Sequence, residues 1–117
     1  MSEILREMSD IFLTEDIDWM DYRIDAINNY LTFHHIKEAR NGGLLIIPNG
    51  ALITKKAHLL LNYYEVYDYL TYVRLNGLFK ELNTTMAPPD EAYWHELNKI
   101  YSKIRARKLP QRSGRHN

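Results

Sequence analysis

Apolar residues recur at helical spacing near the start of the chain. Counted from residue 4, they lie at positions i, i+1, i+4, i+7 and i+8, and Ser2 stands where a helix N-cap is expected. The members of this stripe are Ile4, Leu5, Met8, Ile11 and Phe12. The pattern predicts a short amphipathic helix.

A second helical pattern runs over residues 18–40. Its opposite side is polar and begins with three acids, Asp18, Asp21 and Asp25, which suit the positive end of a helix dipole. Asn41-Gly42-Gly43 follows, and glycine accepts the left-handed backbone of a helix C-terminus. We therefore expect a second N-terminal helix. Its apolar side would hold Trp19, Met20, Ala26, Ile27, Tyr30, Leu31 and His34, the last as a core histidine.

The next segment predicts a β-hairpin. Proline in Ile47-Pro48-Asn49-Gly50 presets the first corner of a turn, and glycine can take the positive φ that a bulged connection requires. The arms would be residues 44–47 and 51–54. Neither arm alternates apolar with polar residues, so both faces need cover from helices or from a second copy of the chain.

Residues 55–76 predict a long central helix, capped by Thr54 and ending near Asn76-Gly77. Apolar residues occupy two nearly opposite faces of it, so the helix is either central in its domain or shared across an interface. Because the chain has few other elements to surround it, we favour an interface. The predicted protein-interface residues are Tyr63, Val66, Tyr67, Leu70 and Val73.

The C-terminal part predicts one more helix with a basic end. Pro88-Pro89-Asp90-Glu91 suits a helix start, and Tyr93, Trp94 and Leu97 begin an apolar stripe. The last seven residues are too polar to order alone. The fold class is therefore α+β and predominantly helical, with a single compact domain over residues 1–108 and a flexible basic tail over residues 109–117.

Charge is divided unevenly along this neutral chain. Residues 1–50 hold nine of the 15 acids and four of the 15 bases, and residues 99–117 hold seven bases and no acid. Such a terminus suits phosphates or an acidic protein surface. The predicted nucleic-acid-binding residues are Lys99, Lys103, Arg105, Arg107, Lys108, Arg112 and Arg115.

The sequence offers little catalytic or metal-binding chemistry. The acids Asp18, Asp21 and Asp25 with His35 could approach a metal, but one straight helix cannot surround a hard cation, so a solvated face is the better interpretation. No phosphate-binding glycine loop and no nucleophile motif is present. We expect a protein that is not an enzyme and uses no cofactor.

Composition and length favour a cytoplasmic protein. The 117 residues include no cysteine, and the longest aliphatic run, residues 44–47, is far too short to span a membrane. Five of the nine tyrosines fall within residues 63–72. That run contains acids and no base before Arg74, so a core or a protein interface explains it better than stacking on nucleic-acid bases.

Two functions remain, both suited to a homodimer paired through the hairpin edge. The first is a small nucleic-acid-associated accessory or regulatory protein that uses the basic C-terminal helix and tail. The alternative is a protein-binding adaptor or inhibitor that uses either the acidic helix face or the tyrosine-rich helix. A third possibility is that acidic and basic ends of two copies meet, so that the charge division serves self-assembly.

Overall fold

A computed structural model describes the backbone of residues 1–115 and the side chains of residues 1–105. The fold is α+β and mostly helical, as predicted. Its elements in chain order are α1 (Glu3–Phe12), β1 (Leu31–His35), β2 (Gly50–Thr54), α2 (Lys55–Tyr67), α3 (Tyr69–Thr85) and α4 (Glu91–Arg115), with short 3-10 helices at Ala39–Asn41 and Ile47–Asn49. The domain limit at residue 108 and the flexible tail stay predictions.

Helix α1 forms where the apolar stripe predicts it. The Ser2 hydroxyl accepts a hydrogen bond from the backbone N–H of Leu5 at 3.4 Å and caps the first turn. Met8 and Phe12 are fully buried, and the helix ends at Leu13 in the left-handed conformation. The amphipathic face therefore becomes part of the main core.

The helix predicted over residues 18–40 is wrong. Asp21 has φ of 67°, which no α-helix contains, and the segment consists of turns that lead into β1. The buried Asp18 carboxylate accepts backbone N–H bonds from Met20 at 2.8 Å, Tyr22 at 2.9 Å and Thr54 at 2.7 Å. These bonds hold a compact turn in place of helical hydrogen bonds.

The sheet has two antiparallel strands, but only one predicted arm of the hairpin is correct. Strand β2 contains residues 51–54, whereas its partner is β1, in register from Leu31 opposite Thr54 to His35 opposite Gly50. The Asn49 side chain accepts from the N–H of Lys37 at 2.7 Å and donates to the carbonyls of Lys37 and Leu44, each at 3.0 Å. Residues 44–47 are therefore part of a closed loop and not a strand.

The predicted central helix is two helices that meet at Asp68. The backbone of Asp68, with φ of −151° and ψ of 68°, leaves the helical region, and its side chain caps α3 through the N–H of Thr71 at 3.4 Å. Helix α3 then continues through Gly77 to Thr85, so the predicted end near Asn76-Gly77 is also wrong. The split gives α2 and α3 different directions and different buried faces.

Helices cover both faces of the sheet. Phe33 and His34 project to opposite faces, where Phe33 lies near Met8 of α1 and the His34 ring contacts α2 and α3. Helix α4 fixes the turn segment, because the Tyr93 hydroxyl donates to the carbonyl of Trp19 and the Tyr101 hydroxyl donates to that of Met20 at 2.8 Å. Among the described residues, no helix has the length and apolar character needed to cross a membrane.

Candidate protein-interaction surface

Helices α2 and α3 carry a set of large apolar side chains on the outside of the molecule. We call this set the α2–α3 patch. Its side chains are between 46% and 74% exposed. The members are Leu59, Tyr63, Val66, Tyr67, Tyr69, Leu70 and Val73.

The α2 half of the patch is one continuous helical face. Its residues lie at positions i, i+4, i+7 and i+8 from Leu59, which places them on the same side of the helix. The side of α2 that packs in the core holds Ala57, Leu61 and Tyr64. The patch is therefore apolar surface outside the face of α2 that packs in the core, and most of it stays exposed.

Aromatic contacts order the patch. The rings of Tyr63 and Tyr67 have centroids 4.9 Å apart, and Tyr69 stacks at 5.7 Å on Tyr72, which is buried. The hydroxyls of Tyr63, Tyr67 and Tyr69 make no hydrogen bond to any described residue. The patch therefore presents both apolar rings and free hydrogen-bonding groups to a partner.

A buried histidine, His34, and a partly buried one, His58, join β1 to the two helices. His34 Nε2 donates to the Asn76 side-chain oxygen at 2.7 Å, and its ring lies 5.5 Å from the His58 ring, centroid to centroid. The Thr32 hydroxyl donates to the carbonyl of Ile53, so His58 Nδ1 must be the donor in its 2.9 Å contact with Thr32. These contacts place a proton on Nε2 of His34 and on Nδ1 of His58.

Burial favours the uncharged form of these histidines. Desolvation lowers the pKa of His34 from 6.5 to about 4, although the hydrogen bond to Asn76 acts in the opposite direction. The pKa of His58 is also lowered, chiefly by burial. The pair supports the patch as structure, and His34 is the core histidine that the sequence predicts.

An ion pair connects the long loop to α2 beside the patch. The Arg40 guanidinium lies 2.8 Å from the Glu65 carboxylate and also contacts Glu38. The neighbouring Glu65 carboxyl group raises the pKa of Glu38. The loop that carries the exposed Leu44, Leu45 and Ile46 is thus tied to the helix that carries half of the patch.

All five residues predicted from the sequence as a protein interface lie in the patch. Sequence reasoning missed Leu59 as a site residue, although its spacing to Tyr63 and Val66 gave the signal. It also missed Tyr69, because the assumption of one continuous helix placed that residue on a polar strip. Tyr69 begins α3 directly after the break at Asp68, and it is 61% exposed.

The structure describes only part of the predicted nucleic-acid-binding set. The Lys99 ammonium lies 3.4 Å from Glu96, and Arg105 donates to the Ser102 hydroxyl at 3.1 Å. Lys99 and Lys103 line one groove together with Arg74 from α3. The predicted residues whose side chains lie outside the described part are Arg107, Lys108, Arg112 and Arg115.

The acidic helix face proposed as an alternative docking surface does not exist. Asp18 is buried, Asp21 occupies a left-handed turn, and Asp25 accepts N–H bonds from Ile27 and Asn28 in a separate turn. The three carboxylates therefore share no helix and no common face. Within the described part of the chain, no group of three His, Cys, Asp or Glu side chains could hold a metal ion.

Comparison with known proteins adds no identification. The chain matches no protein-family model, no curated protein and no solved structure at a significant level. The interpretation of the surface therefore depends on its geometry and chemistry.

Proposed function

We propose that this protein is a small cytoplasmic adaptor without enzymatic activity, which acts as a homodimer and binds a partner protein through the α2–α3 patch. The observation that carries the proposal is the exposure of seven large apolar side chains on two adjoining helices. Contiguous exposed apolar surface is a marker of protein interaction sites, and tyrosine is enriched in such sites.

The chemistry of the patch indicates the kind of partner. Its centre contains tyrosine rings with free hydroxyls beside aliphatic side chains, and Glu65, which is partly covered, already pairs with Arg40. Such a surface fits an apolar face of another protein that also offers hydrogen-bond acceptors to the tyrosine hydroxyls. Strong charge complementarity is not required for this contact.

Site-specific photo-crosslinking in cells tests the proposal. A photoreactive amino acid at Tyr67 should give a covalent adduct of one defined mass, and the further change Val66→Ser should remove that adduct. Tyr30 is the matched control position, because it is an exposed tyrosine outside the patch. Equal adducts at both positions, or no adduct at Tyr67, would contradict the proposal.

Nucleic-acid binding through the C-terminal helix is the second candidate. The observation that favours it is the arrangement of Arg74, Lys99 and Lys103 from two helices along one groove. Two carboxylates, Glu81 and Glu96, line the same groove and would repel phosphates. Binding by this face with the remaining bases of the set would be electrostatic and weakly sequence-selective.

Fluorescence anisotropy with labelled single- and double-stranded DNA and RNA separates the two candidates. Salt-sensitive binding that weakens when the chain is ended at Lys108 would support the second candidate, because that truncation removes Arg112 and Arg115. Absence of binding even at low salt would contradict nucleic-acid binding, and the adaptor would remain the proposed function.

A further inference from the structure

Helices α3 and α4 run antiparallel and leave a groove of about 280 Å³ between them. Its lining is ordered along its length. Arg74 and Lys103 stand at one end, Gly77 and Ile100 in the middle, and Glu81 and Glu96 at the other end. One face of the molecule thus has a basic end, a small apolar centre and an acidic end.

Gly77 makes the centre of this face unusually open. It lies inside α3, and a Cβ atom built on it would have no neighbour within 4 Å. Glycine destabilises a helix interior by about 1 kcal/mol relative to alanine, and no contact within the described structure requires it here. A glycine on an open helix face allows the backbone of another helix to approach closely.

The charges beside Gly77 have no ion-pair partner among the side chains of residues 1–105. Arg74 lies three residues before Gly77 and Glu81 four residues after it, so both are about one helical turn away on the same side. Neither forms an ion pair with a described side chain, and neither does Lys103. Glu96 pairs with Lys99 at 3.4 Å, an exposed contact that can rearrange.

The order of these groups is self-complementary under a two-fold axis. If two copies of α3 cross antiparallel at Gly77, Arg74 of each copy faces Glu81 of the partner subunit, and the basic end of each groove meets the acidic end of the other. A two-fold interface requires this kind of reciprocal match. A nucleic acid would meet the two carboxylates as well as the bases, so it fits the face less well.

We propose that the α3–α4 groove is the contact between two copies of this chain, with Gly77 at the crossing and Arg74 paired to the partner's Glu81. The proposal rests on the homodimer of the proposed function and names its surface. It names a surface other than the hairpin edge predicted from the sequence, where β2 is buried. The α2 half of the patch stays available for another protein.

Sedimentation velocity over a range of concentrations tests the contact by charge reversal. Arg74→Glu and Glu81→Arg should each weaken dimerisation by about tenfold or more, because each places two like-charged pairs in the two-fold interface. The double variant with both changes should restore it, since the pairs then form with exchanged signs. Arg6→Glu is the matched control, because Arg6 is exposed on α1, which does not line the groove.

Gly77→Leu provides an independent test at the crossing. The open space around Gly77 lets the variant fold, which unchanged far-UV circular dichroism would verify, and the new side chain should block the close approach and give a monomer. A wild-type chain that is monomeric at all concentrations would overturn the homodimer itself. A wild-type dimer that tolerates both single reversals and Gly77→Leu would overturn this surface alone.

Discussion

Two regions of the molecule depart from the usual distribution of polar and apolar groups, in opposite directions. The turn segment around Asp18 places a carboxylate fully inside the protein. The α2–α3 patch places large apolar side chains outside it. Both regions contradict the simple rule that apolar side chains lie inside a protein and polar ones outside. The difference is that the Asp18 carboxylate has hydrogen-bond partners inside the fold.

The buried carboxylate is satisfied by its surroundings. Three backbone N–H groups donate to it, and one of them, from Thr54, ties the turn to the end of β2. Burial raises the pKa of Asp18, while these hydrogen bonds lower it. A polar group whose bonds are complete inside the fold is a structural device, whereas apolar groups without cover indicate a partner outside it.

Removal of the Asp18 carboxylate should have the largest effect on stability, and it tests whether this buried group is structural. Asp18→Ala leaves the N–H groups of Met20, Tyr22 and Thr54 without an acceptor, and each unsatisfied buried donor costs about 1–3 kcal/mol. We expect the free energy of unfolding to fall by about 4 kcal/mol or more, measured by urea denaturation.

Asp25 provides the control for that substitution. Its carboxylate also accepts two backbone N–H bonds, from Ile27 and Asn28, but it is exposed to water. Asp25→Ala should therefore destabilise the protein much less. Equal losses for the two variants would show that burial does not distinguish the sites.

The buried His34 gives a pH dependence of defined sign. His34 has a folded-state pKa of about 4 and an unfolded value near 6.5, so the unfolded chain takes up the proton first. The contribution of His34 to the free energy of unfolding should be fully present above pH 6.5 and should fall as the pH decreases towards 4. One pKa unit corresponds to 1.36 kcal/mol, so His34 accounts for a loss of about 3 kcal/mol across this window.

His34→Gln isolates this contribution from those of other groups. His58 titrates in the same direction, and the charges of His35 and Glu65 also act on His34. Asp18 has the opposite sign, because its raised pKa favours the folded state as the pH falls. The difference between the wild-type and variant curves cancels these contributions, and parallel curves would contradict the assignment to His34.

Leu59 and Leu61 compare the two faces of α2 directly. Leu61→Ala removes a fully buried side chain and should lower the free energy of unfolding by about 2–5 kcal/mol. Leu59→Ala removes an exposed member of the patch and should change it by less than about 0.5 kcal/mol. A large loss for Leu59→Ala in the isolated protein would show that the patch is part of the fold.

Local patterns predicted the elements whose hydrogen bonds are local. The Ser2 cap and the apolar stripe that follows it predict α1. The Thr54 cap predicts the start of α2, and the Thr54 hydroxyl accepts the Ala57 N–H at 3.3 Å. The sequence pattern assigns Asp18, Asp21 and Asp25 to one helix, where they would suit its dipole. Asp18 instead bonds to Thr54, 36 residues away, and no periodicity reports such a contact.

The sequence predicted most residues of the candidate surface, but it did not predict that the surface is divided between two helices. Two apolar faces are visible in residues 55–76. Four of the five predicted interface residues lie on one face and Tyr67 lies on the other, and all five are exposed in the structure. The break was hidden in Asp68, where Thr71 donates both its N–H and its hydroxyl to the carboxylate. A single aspartate between tyrosines is a weak sequence signal for a helix cap, so the two helices were merged.

The smallest expected effect has the opposite sign and concerns Gly77. Since nothing lies within 4 Å of its missing Cβ and its φ is not positive, Gly77→Ala introduces no clash and restricts the unfolded chain. We expect the midpoint of urea unfolding to rise, by about 0.5–1 kcal/mol in free energy. A destabilised variant would mean that a neighbour already occupies that side of α3, so the measurement belongs at low concentration, where the proposed dimer dissociates.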